Sequence, residues 1–251
     1  MKIDYPQRHQ LDALRQLWQE AFGDEDAFLD IFFCQVYSSD RCRCVTVDDQ
    51  VVGALYWLDC RCEGRPMAYL YAVATARDYQ GQGLCRALMA DTHALLRELG
   101  YAGCILVPGD SGLFAMYAGM GYEVATQITE VECTAGKERM PLQSITGEEY
   151  MARRKALLPP GGVVQEGENL TFLSALTQFY AGEDCLVCVN LDEGSLFAPE
   201  FWGNEVDGPK ILATLGCATG VFRMAGCGQD FSMYHPLSDA PKPTYFAFAF
   251  D

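Results

Sequence analysis

The stretch Val73-Ala74-Thr75-Ala76-Arg77-Asp78-Tyr79-Gln80-Gly81-Gln82-Gly83-Leu84-Cys85-Arg86 holds the residue types and spacing best suited to chemistry. An apolar strand runs into a glycine-rich turn, and the turn opens a helix. The first turn of a helix leaves backbone N–H groups without internal partners, and the helix dipole adds partial positive charge there. Gly81 and Gly83 lack a Cβ, so a phosphate can come close to the backbone. The segment reads as a cradle for phosphate or pyrophosphate, with a plain tight turn as the alternative. Two familiar cradles are excluded. A dinucleotide fingerprint needs a third glycine where Arg86 stands, and a P-loop needs a Gly-Lys-Ser/Thr run that the chain lacks. Metal chemistry is not expected. His9, His93 and His235 are not at ligand spacing, and the CxxC run Cys185-Leu186-Val187-Cys188 would point its sulfurs to opposite faces of a strand.

The elements that must position this cradle follow from hydrophobic periodicity. Residues 10–22 place Leu11, Leu14, Trp18 and Ala21 on one helical face, and residues 26–37 do the same with Phe28, Ile31, Phe32 and Val36. Strands are expected near 43–48, 51–62 and 66–75, then a helix from the glycine turn to about Leu99, with Gly100 as its stop. A strand at 102–107, a short helix at 111–119 and a strand at 121–133 complete the unit. Beyond a boundary near 134–145 the pattern is less regular. Helices are expected at 147–157, 169–180 and 209–215, with strands at 185–191, within 220–235 and at 244–250. Residues 192–208 read as a loop, with Phe197, Phe201 and Trp202 packing between lobes.

Gln80-Gly81-Gln82-Gly83-Leu84-Cys85, together with Tyr117-Ala118-Gly119-Met120-Gly121-Tyr122, resembles the two signatures of the GCN5-related N-acetyltransferase (GNAT) superfamily. The motifs fall on the expected elements in the expected order. The resemblance implies an α+β (mixed α/β) fold: a central, mostly antiparallel twisted sheet flanked by helices, with a second, smaller GNAT-like lobe. It divides the chain into an acetyltransferase domain at 1–135 and a degenerate or truncated GNAT-like domain at 136–251. Cys85 stands where the motif has Gly or Ala, and such a bulkier residue is similar to the enhanced-intracellular-survival branch, which also carries extra C-terminal sequence.

The resemblance further implies acetyl-CoA as co-substrate, an amine as acceptor and no metal. Backbone groups of Val73, Ala74 and Thr75 would pair with the pantetheine arm, and the Val73 N–H would bond the thioester oxygen as charge develops. N–H groups of Gly81, Gln82, Gly83, Leu84, Cys85 and Arg86 would bind the pyrophosphate, with the Gln80 side chain closing over it. Tyr117 would be the general acid that protonates the departing thiolate; its alternative is packing beneath the cofactor. Asp251, by analogy with relatives whose terminal carboxylate enters the site, is a candidate for catalysis or substrate anchoring. Asp110 falls where family members contact pantetheine, but capping the next helix is the favoured reading. Glu130 and Glu132 share a strand face, and Tyr71 is expected to pack in the core.

Composition bounds the partners. Of 251 residues, 50% are hydrophobic and 21% charged, which fits a globular chain. Lys plus Arg is 18 against 34 Asp plus Glu, a net charge of −16. That balance argues against nucleic acid and anionic membranes, and suits a cationic small molecule or peptide amine. No apolar run reaches a membrane span and no signal-peptide pattern opens the sequence, so a cytoplasmic location is expected. The 12 cysteines sit mostly in apolar runs, as reduced thiols do. Homo-oligomerisation stays open. Two rival readings are a non-catalytic acyl-CoA-binding or regulatory module and an assembly factor that binds a basic protein.

Overall fold

The computed structural model describes residues 1–249, which form two compact units. The first comprises Met1–Leu106, Gly167–Phe172 and His235–Ala240. It contains β1 (Lys2–Asp4), α1 (Leu11–Phe22), α2 (Asp26–Gln35), β2 (Cys42–Val47), β3 (Gln50–Cys62), β4 (Arg65–Thr75), α3 (Leu84–Glu98) and β5 (Gly103–Leu106). The strands lie in the order β1-β2-β3-β4-β5, antiparallel throughout except for the parallel β4–β5 pair.

Two tight turns set the register. Asp48 and Asp49 join β2 to β3 with φ of 47° and 64°, and Glu63 and Gly64 join β3 to β4 with φ of 50° and 78°. Positive φ at both central residues matches the right-handed twist of hairpin strands. Buried residues run almost without interruption along β3, from Gly53 to Leu58, so both faces of the strand are covered. Trp18 of α1 centres an aromatic cluster, with rings of Phe32 at 4.7 Å, Tyr56 at 5.2 Å and Tyr71 at 5.6 Å. Its indole N–H donates to Asp24 at 2.7 Å. Leu84, Leu88, Met89 and Leu96 form the buried stripe of α3. The returning segment 167–172 is stitched to β3: the Asp59 N–H donates to Glu168 at 2.6 Å, and the Asn169 amide donates to the Asp59 carbonyl at 2.6 Å.

The second unit comprises Val107–Glu166, Leu173–Tyr234 and the stretch from Pro241. It contains α4 (Ser111–Ala118), β6 (Glu123–Thr134), β7 (Gln143–Ile145), α5 (Gly147–Leu157), β8 (Val163–Gln165), the second half of α6 (Glu168–Leu176), β9 (Gln178–Ala181), β10 (Leu186–Asp192), β11 (Ser195–Trp202), α7 (Gly208–Leu215), β12 (Thr219–Ala225) and most of β13 (Gln229–Pro236). Its strand order is β13-β6-β12-β11-β10-β9-β7, with β11 and β12 parallel and the other pairs antiparallel. Ile211 and Leu212 of α7 pack with Val187, Val189, Leu196 and Phe222 on one sheet face. On the other face, fully buried Glu200 accepts from Arg154 Nε at 2.7 Å, Tyr150 at 2.8 Å and Tyr245 at 2.9 Å.

Three sequence-based element assignments change. Residues 192–208 are not a loop, because Ser195–Trp202 form β11. The helix expected to reach 180 stops at Leu176, and β9 follows. Residues 246–249 are buried but lie outside any strand, and Tyr245 alone bridges to Gly162. Phe201 lies in the core of the second unit, 5.3 Å from Phe222. None of the 12 cysteines is paired, and burial pushes the Cys42, Cys60 and Cys188 thiols well up, so they stay protonated. Among the described residues, no helix is long and apolar enough to cross a membrane.

Candidate active site

In the first unit, β4 is bulged where the sequence places its chemistry. Tyr71 pairs with Tyr56 and Ala74 with Ala54, so Ala72 and Val73 together face the single residue Leu55. Ala72 takes φ 48°, an unfavourable backbone for a residue with a Cβ. A bulge bends the strand and leaves the extra residue outside the ladder. On its other side β4 pairs with β5 only through Ala68–Cys104 and Tyr69–Ile105. Beyond Tyr69 the parallel strands part, so the β5-facing edge of Val73, Ala74 and Thr75 is open to an added extended chain. Tyr71 is buried and ringed by Trp18, Phe32 and Phe172, as its core-packing reading expects.

The chain then turns into α3. Gly81 has φ 73° and Gly83 φ 79°. A Cβ built at either would meet no atom within 4 Å, so backbone conformation, and not crowding by the protein, selects glycine. Gly83 caps α3 with no side-chain hydrogen bond and no acidic residue in the first turn. The leading N–H groups of α3 therefore lack the side-chain acceptor that usually satisfies a helix start. Gln80 donates from its side chain to the Thr75 carbonyl at 3.1 Å, and Gln82 to that of Asp78 at 3.1 Å, which braces the turn from both ends. The Cys85 side chain is largely buried, and that burial raises its thiol pKa while neighbouring Arg86 opposes the shift. The motif's bulkier residue is thus absorbed by packing as a neutral thiol. Arg86 is exposed one position further along α3.

A cavity of about 370 Å³ lies between the bulged strand and α1. It is lined by Val73, Ala74, Thr75 and Gln80, and by Glu20 and Phe22 from α1. The Glu20 carboxylate accepts from the Arg77 N–H at 2.8 Å. Glu20 carries no motif signal in the sequence. It is the one acidic residue late in α1, but periodicity alone could not bring it beside the bulge.

The remaining candidates belong to the second unit. Tyr117 lies on α4, 6% exposed, with its ring 5.7 Å from that of Tyr122. Its carbonyl accepts from the N–H groups of Met120 and Tyr122, which ends the helix in a tight turn. Asp110 accepts from the Leu113 N–H at 2.9 Å, the capping role expected of it. Glu130 pairs with Arg223 at 3.1 Å, whereas Glu132 is exposed on the same strand face. Asp251 lies outside the described residues.

Residues 2–125 match the acetyltransferase (GNAT) domain family. No protein of curated function matches the chain in sequence. Among solved structures, a GCN5-related N-acetyltransferase from Kribbella flavida aligns over 93% of this chain and 70% of its own, at 20% identity and a TM-score of 0.69. One from Anabaena variabilis aligns over 94% and 73%, at 15% identity and a TM-score of 0.74. Eis1 from Mycobacterium abscessus aligns over 94% and 74%, at 11% identity and a TM-score of 0.68. At these identities the likeness is one of fold: a mixed α/β chain with a mostly antiparallel sheet flanked by helices.

Proposed function

Residues 2–125 belong to the GNAT acetyltransferase family, and from that premise we propose that the chain transfers an acetyl group from acetyl-CoA to a primary amine of a small cationic molecule or peptide. One observation carries this reading: a bulged strand edge freed from its parallel neighbour leads through a glycine turn into a helix start with no side-chain cap. The edge suits an extended amide-bearing arm, and the helix start suits a diphosphate.

Acetyl-CoA supplies an activated thioester when bound. In this reading Val73, Ala74 and Thr75 bind its arm through their backbone groups. The N–H groups of Gly81, Gln82, Gly83, Leu84, Cys85 and Arg86 hold the diphosphate, and the Gln80 side chain closes the turn. The Val73 N–H stabilises the oxygen on which negative charge grows as the neutral amine attacks. Tyr117 gives its phenolic proton to the departing sulfur, since a phenol near pKa 10 can protonate a thiolate of pKa about 8–9. Glu20, on the cavity beside Val73, is the first-unit group we assign to take the amine's proton or hold it as an ammonium. Asp251 keeps a proposed role in catalysis or substrate anchoring. The division into an acetyltransferase domain at 1–135 and a C-terminal lobe at 136–251, and the cytoplasmic location, belong to the same proposal.

The test begins with the cofactor. Acetyl-CoA at 100 times its Kd is expected to add about 2.7 kcal/mol of stability in a thermal-shift assay. An unmoved melting temperature with acetyl-CoA and longer acyl-CoAs would refute the reading. Release of free thiol with an amine panel then separates an enzyme from a binding module.

A further inference from the structure

The second unit carries a cavity of about 890 Å³ on the sheet face opposite α7. The ladders fix which side chains share that face. Asn190 pairs with Phe197, Phe197 with Val221, and Val221 with Glu132, so one row crosses β10, β11, β12 and β6. The next row runs from Asp192 through Ser195 and Thr219 to Thr134 on the same face, because side chains two residues apart along a strand point the same way. Apolar Phe197 and Val221 therefore occupy the middle, with a carboxylate at either side: Glu132 on β6 and Asp192 on β10. Three strand spacings, about 14 Å, separate β6 from β10, and the two-residue offset along the strands adds about 7 Å in the other direction, so the two backbones lie about 16 Å apart. Among the described residues neither carboxylate has an ion-pair partner, and both are exposed.

The same face already holds one cation in this manner. Two residues before Glu132, Glu130 binds Arg223 Nε at 3.1 Å, and the Arg223 guanidinium lies 5.1 Å from the centre of the Phe197 ring. Arg223 is committed further, donating to the carbonyls of Ala247 and Ala249 at 3.3 Å each. The strand thus repeats its carboxylate one step further along, beside Val221 and one strand from the same ring, with no cation to meet it among the described residues.

We propose that this face binds an extended organic dication, a methylene chain with an ammonium group at each end. The chain lies across Phe197 and Val221, one ammonium meets Glu132 and the other meets Asp192, and the hydroxyls of the second row take the remaining N–H groups. The proposal does not rest on acetyl transfer, because the binding is read with no acyl donor present.

The experiment is calorimetric titration of the full chain with diaminopropane, diaminobutane, diaminohexane, diaminooctane and diaminodecane, and with hexylamine as the one-ended probe. Affinity is expected to rise with length to an optimum among the longer diamines, and hexylamine to bind at least threefold more weakly than diaminohexane. Glu132→Gln and Asp192→Asn are each expected to weaken the best diamine about three- to fivefold, the scale of an exposed ion pair. Glu98→Gln removes an equal charge from α3 and is expected to leave the affinity unchanged. No diamine binding, equal binding of hexylamine and diaminohexane, or equal weakening by all three variants would overturn the proposal. Unchanged melting temperatures of the variants separate lost binding from lost fold.

Discussion

Tyr117, Gly83 and His93 show how much rests on single residues. Tyr117 is buried on α4, so removing its hydroxyl while keeping the ring preserves the packing against Tyr122. Tyr117→Phe is expected to lower kcat by about 10²–10⁴-fold with the melting temperature held; a loss below threefold in steady-state turnover would remove it from the mechanism. Gly83 sits at φ 79° in open space, so Gly83→Ala strains the backbone without a clash. We expect about 1–2 kcal/mol of destabilisation and weaker acetyl-CoA binding by calorimetry. His93 is 7% exposed and stacks on His235 at 4.2 Å between ring centres. Burial first, then the neighbouring His235 and Arg97, lower its pKa from 6.5 to about 3. The unfolded chain therefore takes up a proton near pH 6.5 that the folded chain refuses until about 3. Stability due to this group is full above that window and falls as pH drops through it, by up to about 1.4 kcal/mol per pH unit. Denaturant titrations of wild type and His93→Gln across pH 7 to 4 should show the slope shrink in the variant.

At the scale of elements, the buried Glu200 joins α5, β11 and the segment 245–249. Arg154 and Tyr245 both bond to it, while Gln165 holds the Phe248 carbonyl at 2.7 Å. The carboxylate lies beside Tyr150 and Tyr245, and burial first, then that charge, pushes both phenols well up, so they remain hydrogen-bond donors at any physiological pH. Arg154→Met would strand a buried charge and is expected to cost about 3–5 kcal/mol in urea unfolding, with Arg154→Met combined with Glu200→Gln recovering part of the loss. This network also explains what the sequence concealed. The first unit was legible because α1 and α3 carry a clean 3.6-residue period and β3 and β4 are continuous apolar runs bounded by turn residues, and the cradle was legible because two glycines before a helix have few other uses. β11 was not, because Pro199 and the buried charge of Glu200 interrupt its alternation, and the partner that neutralises Glu200, Arg154, stands far off in the sequence on α5. Glu20 was missed for the same reason, since its meaning comes from a bulge on β4.

For the whole molecule, the charge of −16 is the broadest feature. Self-repulsion at that charge weakens the compact state and is screened by salt within about 10 Å at 0.1 M. The melting temperature is expected to rise as sodium chloride goes from 0.01 to 0.3 M, while association with cationic ligands slows. A flat melting temperature across that range would place the carboxylates too far apart to matter.

The first unit closes on residues encoded far along the chain. His235 stacks on His93, the Leu237 N–H donates to the Ala102 carbonyl at 3.0 Å, and Arg97 donates back to the Leu237 carbonyl at 3.3 Å. During synthesis residues 235–240 have not yet been translated when β1 to β5 emerge from the ribosome. The nascent first unit must therefore wait for residues 235–240 before these contacts can form. A stop codon after β5 would yield a sheet whose own fastening had never been made.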